Sequence, residues 1–168
     1  SRERARDPVE DLRRGWELHV GFGLANPAFY ALMYGDPRPG AEPTAALEAA
    51  EILRELVRRV AEAGRLRVGV ERAAQMIHAA GVGVVMSLIA VEDKYRDLAL
   101  SEATREAVLA AVTTDESDEA PGERIGPDRV ANRAVALGAV LDEAEGRITP
   151  GERALLSEWL DRIADPER

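Results

Sequence analysis

The stretch DPVEDLRRGWELHVGFGLANPAFYALMYG, Asp7 to Gly35, decides how this chain is read. Asp7 offers a side-chain oxygen to the open amides of a helix start, Pro8 suits the first helical position, and Glu10 completes the pattern of an acid after the cap. A helix is therefore expected from about Pro8 to Leu24. Asn26 and Pro27 repeat the device and open a short helix that ends near Gly35. The same stretch holds Trp16, Phe22, Phe29, Tyr30 and Tyr34, with His19 and Met33 among them, in a chain of 4% aromatic content. Trp16 and His19, one turn apart, share a helix face, and Tyr30 and Met33 share one on the next helix.

Working outward, the punctuation continues. The prolines and glycine of DPRPGAEP, Asp36 to Pro43, forbid regular structure. From Thr44 onward, Leu47, Ile52 or Leu53, Leu56 and Val60 recur at helical spacing, and Gly64 suits a helix end. A further helix is expected from about Val70 to Val91, apolar nearly all round beyond Ala79 and therefore buried on most sides. EDKYRDLAL reads as a loop, after which Ser101 caps a helix to about Val112. Thr113 to Gly126, acidic and poor in apolar residues, reads as a mobile linker. Pro127 opens a helix through Ala144. Thr149, Pro150 and Glu152 form a capping box for a last helix to about Ala164. The last two helices make a hairpin, with Val130, Ala134, Leu137 and Leu141 facing Leu155, Leu156, Trp159 and Ile163. No segment alternates as a strand does. The expected fold is all-α, with a main helical domain over 1–115, an acidic linker over 116–126 and a helical hairpin over 127–168.

Bulk composition narrows the function. The chain has 168 residues, net charge −9 and 46% hydrophobic residues. Tight binding to a phosphate backbone rests on clustered Lys and Arg, a footprint that this acidic chain lacks. It has no cysteine, which excludes disulfides, Cys-ligated zinc and thiol catalysis. The longest apolar run, GVGVVMSLIAV, is far short of a bilayer, so no membrane partner is expected. The chain starts at Ser1 without an initiator Met, and SRERARDP reads as the interior of a longer protein.

No residue pattern proposes chemistry. His19 and His78 fall on different helices with no carboxylate at a metal-binding spacing, so neither a metal nor another cofactor is expected. Ser87 sits in an apolar helix without the G-x-S-x-G turn that exposes a nucleophile. The GFG and GVG glycines lie in helices, not between a strand and a helix, so they are not phosphate loops. Glycine costs about 1 kcal/mol in a helix, and close helix approach is its expected reason there. What remains is the aromatic segment, which suits either ordinary core or the apolar wall of a small-molecule pocket with a few polar tips.

DLRRGWELHVGFGLANPAFYALMYGDPRPG, followed by ALEAAEILRELVRRVAEAGRLRVGVERAAQMIHAAGVGVV, resembles the C-terminal regulatory domain of TetR-family transcriptional regulators. NPAFYALMYGDP is the most specific part, and the resemblance spans about Asp7 to Val112; ITPGERALLSEWLDRIAD matches a tail of some members more weakly. The resemblance implies a cytoplasmic sensor with the helical bundle of that regulatory domain, a small apolar or amphipathic effector bound among its helices, and a homodimer. The family's helix-turn-helix is absent from this chain, so DNA is a partner only through such a domain elsewhere. Combined with the residue pattern, this gives Trp16, His19, Phe29, Tyr30, Met33, Leu56 and Met76 as the ligand lining, with His19 as the polar anchor. It also gives Gly81, Val84, Val85, Leu88, Leu109 and Val112 as the dimer face. The rival readings are a helical interaction module without ligand and a small helical enzyme.

Overall fold

The computed structural model describes residues 7–35, 44–114, 127–144 and 147–164. Among these it holds seven α-helices and no strand: α1 Pro8–Ala25, α2 Pro27–Tyr34, α3 Thr44–Glu62, α4 Val70–Ile89, α5 Ala99–Val112, α6 Pro127–Ala139 and α7 Pro150–Ala164. The fold is an all-α bundle, as the sequence pattern requires. The expected loop over 36–43 and most of the acidic linker, from 115 to 126, lie outside the described residues.

The helix ends show how local chemistry sets the fold. Asp7 accepts from the Val9 amide at 3.0 Å. The same oxygen also takes a 2.7 Å bond from Arg65 Nη1, so the cap ties the start of α1 to the turn after α3. Asp7→Ala should cost about 1–2 kcal/mol, the upper part of the range for a lost N-cap, because it also removes the ion pair to Arg65. Chemical denaturation would read this. Thr149 and Glu152 form the reciprocal box at α7: the Glu152 amide donates to Thr149 Oγ1 at 3.3 Å and the Thr149 amide to Glu152 Oε2 at 2.8 Å. Gly64 ends α3 at φ 71°, a backbone that a Cβ disfavours. Two expected caps differ. Asn26 donates its side-chain amide back to the Phe22 carbonyl and caps nothing by its side chain. Ser101 lies inside α5, whose start is instead held by Asp97 accepting from the Ala99 amide.

α4 is the axis of the bundle, packed by α1, α3 and α5. Its Ala73, Ala74, Ile77, Gly81, Val84, Val85 and Leu88 are buried. By length and composition alone it could also cross a bilayer, with mean hydropathy 1.3. This is longer than the apolar run read from the sequence because Val70–Ala80 joins it. Only 39% of that window is buried within the chain.

α1 meets α5 through polar pairs. Arg13 Nη2 reaches Glu106 at 3.0 Å, and Arg105 reaches Glu17 at 3.0 Å and Glu106 at 2.7 Å. Thr113 and Thr114, expected in the linker, are instead buried. The Arg67 amide donates to the Val112 carbonyl at 2.8 Å and the Thr114 amide to the Arg65 carbonyl at 3.0 Å. This clasp, centred on an antiparallel bridge between Leu66 and Thr113, pins the α3–α4 connection to the end of α5. Backbone groups so buried must be paired, which explains the arrangement.

The hairpin of α6 and α7 packs on α3, and Val135 joins the main core. Its expected inner face is only partly so. Ala134, Leu141 and Leu160 are buried, whereas Val130, Leu137, Leu155, Trp159 and Ile163 are exposed. Docking on α3 turns both helices so that Val135 and Leu160 point inward.

Candidate functional site: an apolar cavity between α1, α3 and α4

A cavity of about 320 Å³ opens where α1, α3 and α4 diverge beside α2. α1 contributes Leu12, Gly15, Trp16, Leu18, His19 and Phe22; α2 contributes Tyr34; α3 contributes Ala49, Ile52, Leu53 and Leu56; α4 contributes Ile77, His78 and Gly81. The wall is apolar with a few polar groups, which is the chemistry of small-molecule pockets, and its volume is at the lower end of their usual size. Leu18 and Ile52 at its mouth are 76% and 65% exposed, so the apolar surface continues outward.

Each aromatic is held by a definite partner. The Trp16 indole N–H donates to Ser101 Oγ on α5 at 3.0 Å, which fixes the ring. Tyr30 is fully buried, and its hydroxyl lies 2.7 Å from His19 Nε2. A chain of rings crosses from α1 to α4: His19 and Tyr30 at 5.4 Å, Tyr30 and Tyr34 at 4.7 Å, Tyr34 and His78 at 5.6 Å between centroids. His19 also stands edge-on to Tyr34 at 6.2 Å. Gly81 is the floor: a Cβ there would lie 3.4 Å from His19 Cδ2 and 3.7 Å from Trp16 Cζ3.

Burial pushes the His19 imidazole below its usual pKa, and the neighbouring His78 adds a smaller push in the same direction. Burial raises the Tyr30 and Tyr34 phenols, with Tyr34 adding to the effect on Tyr30. His19, Tyr30 and Tyr34 are therefore neutral at pH 7. Because His19 is harder to protonate folded than unfolded, the unfolded state binds more protons below about pH 6.5. Stability should fall as pH drops from there toward the depressed folded value, by at most about 1.4 kcal/mol per pH unit for one proton. Urea midpoints at pH 5.5 and 7.5, compared with those of His19→Gln, would show it; an equal acid loss in both proteins would assign the effect elsewhere.

Of the seven residues expected to line the site, Trp16, His19 and Leu56 meet at this cavity. Tyr30 stands behind the wall, holding His19. Phe29 is half-exposed, edge-on to Phe22 at 6.0 Å, and Met33 joins neither the cavity nor the core. Met76 lines a different, wider recess between α3, α4 and the hairpin, bordered by Arg54, Arg58, Asp142 and Asp161. Sequence reasoning missed Leu12, Gly15 and Phe22, which share the Trp16–His19 face by spacing. It also missed Ile77 and His78, the neighbours of Met76, which carry the register of α4 that lines the cavity.

The six residues expected at a dimer face belong elsewhere in this structure. Gly81, Val84, Val85, Leu88, Leu109 and Val112 are all buried within the single chain, so they present no surface to a partner. An apolar helix can be covered by its own α1, α3 and α5, which periodicity does not distinguish from a second subunit. What α4 leaves uncovered is another stripe: Ala79 and Gly83 are exposed and Val82 and Met86 half-buried.

Among the described residues no group of three His, Cys, Asp or Glu could hold a metal. Compared with known proteins, the chain matches no family model, no curated protein and no solved structure.

Proposed function

We propose that this chain is the ligand-binding and dimerisation part of a TetR-like transcriptional regulator, a cytoplasmic sensor for a small, mostly apolar effector. The observation that carries this reading is the cavity walled by Trp16, His19, Leu56 and Tyr34, an apolar space with neutral polar tips inside a helical bundle. The acidic charge agrees with DNA contact being made by a helix-turn-helix domain not in this chain. The reading assigns no catalysis: the cavity wall holds two imidazoles and a phenol, and no carboxylate or hydroxyl nucleophile beside them.

The test is a thermal melt of the protein against a library of neutral apolar compounds. At least one should raise the melting temperature, because a ligand that binds only the folded state stabilises it by mass action. Leu56→Phe, which narrows the space, should weaken that response without loss of helicity. A library that leaves the melting temperature unchanged sinks the reading.

The homodimer is part of the same proposal, through the face of α4 that the chain leaves open. Ala79, Val82, Gly83 and Met86 form a smooth apolar stripe suited to close approach of a second α4 across a two-fold axis. The wild-type chain should sediment as a dimer, and Met86→Glu as a folded monomer, since an unpaired charge in such a contact costs several kcal/mol. A monomeric wild type at micromolar concentration would remove the dimer from the proposal.

A further inference from the structure

We infer that the cavity takes an uncharged ligand bearing a carbonyl oxygen, a ketone, ester or amide on an apolar body, with that oxygen placed between His19 and Tyr34. The inference rests on the cavity being a ligand site and adds the chemistry of its polar end.

It starts from the hydrogen bond between Tyr30 and His19 behind the wall. Tyr30 is fully buried, and among the described residues the only partner of its hydroxyl is His19 Nε2, at 2.7 Å. If the imidazole donated through Nε2, the phenolic proton would have no acceptor, and a buried unsatisfied donor is costly. If the phenol donates, both atoms are satisfied. The neutral imidazole then carries its proton on Nδ1. Burial keeps the ring neutral, so this tautomer persists at pH 7.

Nδ1 has no hydrogen-bond partner among the described residues, and neither does the Tyr34 hydroxyl. Both escape the set of sealed, unpartnered polar atoms, which among these residues holds only Arg153 Nε. They are therefore reachable, and their residues both line the cavity with ring centroids 6.2 Å apart. The two lining residues thus carry an N–H and an O–H that nothing among the described residues accepts. A ligand completes the site by supplying an acceptor.

The charge of that acceptor is set by what surrounds it. No Lys or Arg lines the cavity. A carboxylate would leave water for an apolar pocket with no fixed positive charge, at a large desolvation cost. A carbonyl oxygen satisfies the same donors without that cost. A hydrocarbon fills the space but leaves both donors without the water they had.

Three probes of matched size separate these cases: butylbenzene, butyrophenone and 4-phenylbutyrate, titrated into the full chain at pH 7.5 and followed by calorimetry and NMR. Butyrophenone should bind roughly tenfold more tightly than butylbenzene, and 4-phenylbutyrate at least about tenfold more weakly than butyrophenone. Tyr34→Phe should reduce the ketone's advantage severalfold while leaving butylbenzene unchanged. Nitrogen-15 imidazole spectra should show the Nδ1–H tautomer of His19 in the wild type and its loss in Tyr30→Phe. Equal binding of butylbenzene and butyrophenone, or tighter binding of 4-phenylbutyrate, overturns the carbonyl inference and leaves the ligand cavity standing. Failure of all three to bind the folded protein overturns the cavity reading and this inference with it.

Discussion

Gly23→Ala should destabilise the protein by about 1–3 kcal/mol, while Gly21→Ala, in the same helix, should stabilise it by up to about 1 kcal/mol. Both changes gain helix propensity of about 1 kcal/mol. They differ in what the new methyl meets. At Gly21 nothing lies within 4 Å. At Gly23 a Cβ would lie 2.3 Å from Val85 Cγ1 and 3.0 Å from Tyr30 Cδ2. Val85 and Tyr30 are fully buried, and a β-branched side chain on a helix has little rotamer freedom, so neither can step aside cheaply. The helices must move apart instead, and a packed interior resists that. Urea denaturation of the two variants should move the midpoints in opposite directions. Equal shifts would mean that α1 and α4 do not approach as closely as Gly23 permits.

The second large effect is at Tyr30. Tyr30→Ala should cost about 3–5 kcal/mol, as for other large aromatics cut to alanine in a core. The ring is fully buried, packs on Gly23 and Tyr34, and orients His19 through its hydroxyl. A residue in a ligand cavity would respond differently, with small loss of stability and altered binding. Tyr30→Phe isolates the hydroxyl and should cost about 1 kcal/mol, the usual net worth of one hydrogen bond. Equilibrium unfolding measures both. A cost below about 1 kcal/mol for Tyr30→Ala would show that the space around the ring is already open.

These residues also show where the sequence was legible. Asp7 and the Thr149–Glu152 pair were readable because a cap is a local event, settled within one helical turn. Gly64 was readable for the same reason. Asn26 was not, because its side chain turns back to the Phe22 carbonyl as the chain bends into α2. Thr113 and Thr114 look like linker residues by composition. They are ordered by a partner segment nearly fifty residues earlier, and no local pattern carries that information.

The site divides along the same line. Trp16, His19 and Leu56 were found from stripes on single helices, and those stripes also held Leu12, Gly15, Phe22 and Leu53. α2 is only eight residues long, so its register against α1 is fixed by the bend at Asn26–Pro27. That bend puts Tyr34 in the cavity and Tyr30 behind it, and leaves Phe29 and Met33 aside. On α4 the covered and uncovered faces are almost equally apolar, so only packing decides which one meets its own chain. The expected face turned inward, and the neighbouring one stayed open.

The Trp16–Ser101 hydrogen bond has an optical consequence. The chain has two indoles, one 5% exposed and clamped at the cavity wall, the other, Trp159, 52% exposed on the hairpin. The first should emit at shorter wavelength and resist quenching by iodide; the second should emit to the red and quench readily. In a Trp159→Phe chain the remaining fluorophore reports from inside the bundle, and Ser101→Ala should change its spectrum without moving its position. The protein thus carries its own dye at the wall of the cavity between α1, α3 and α4.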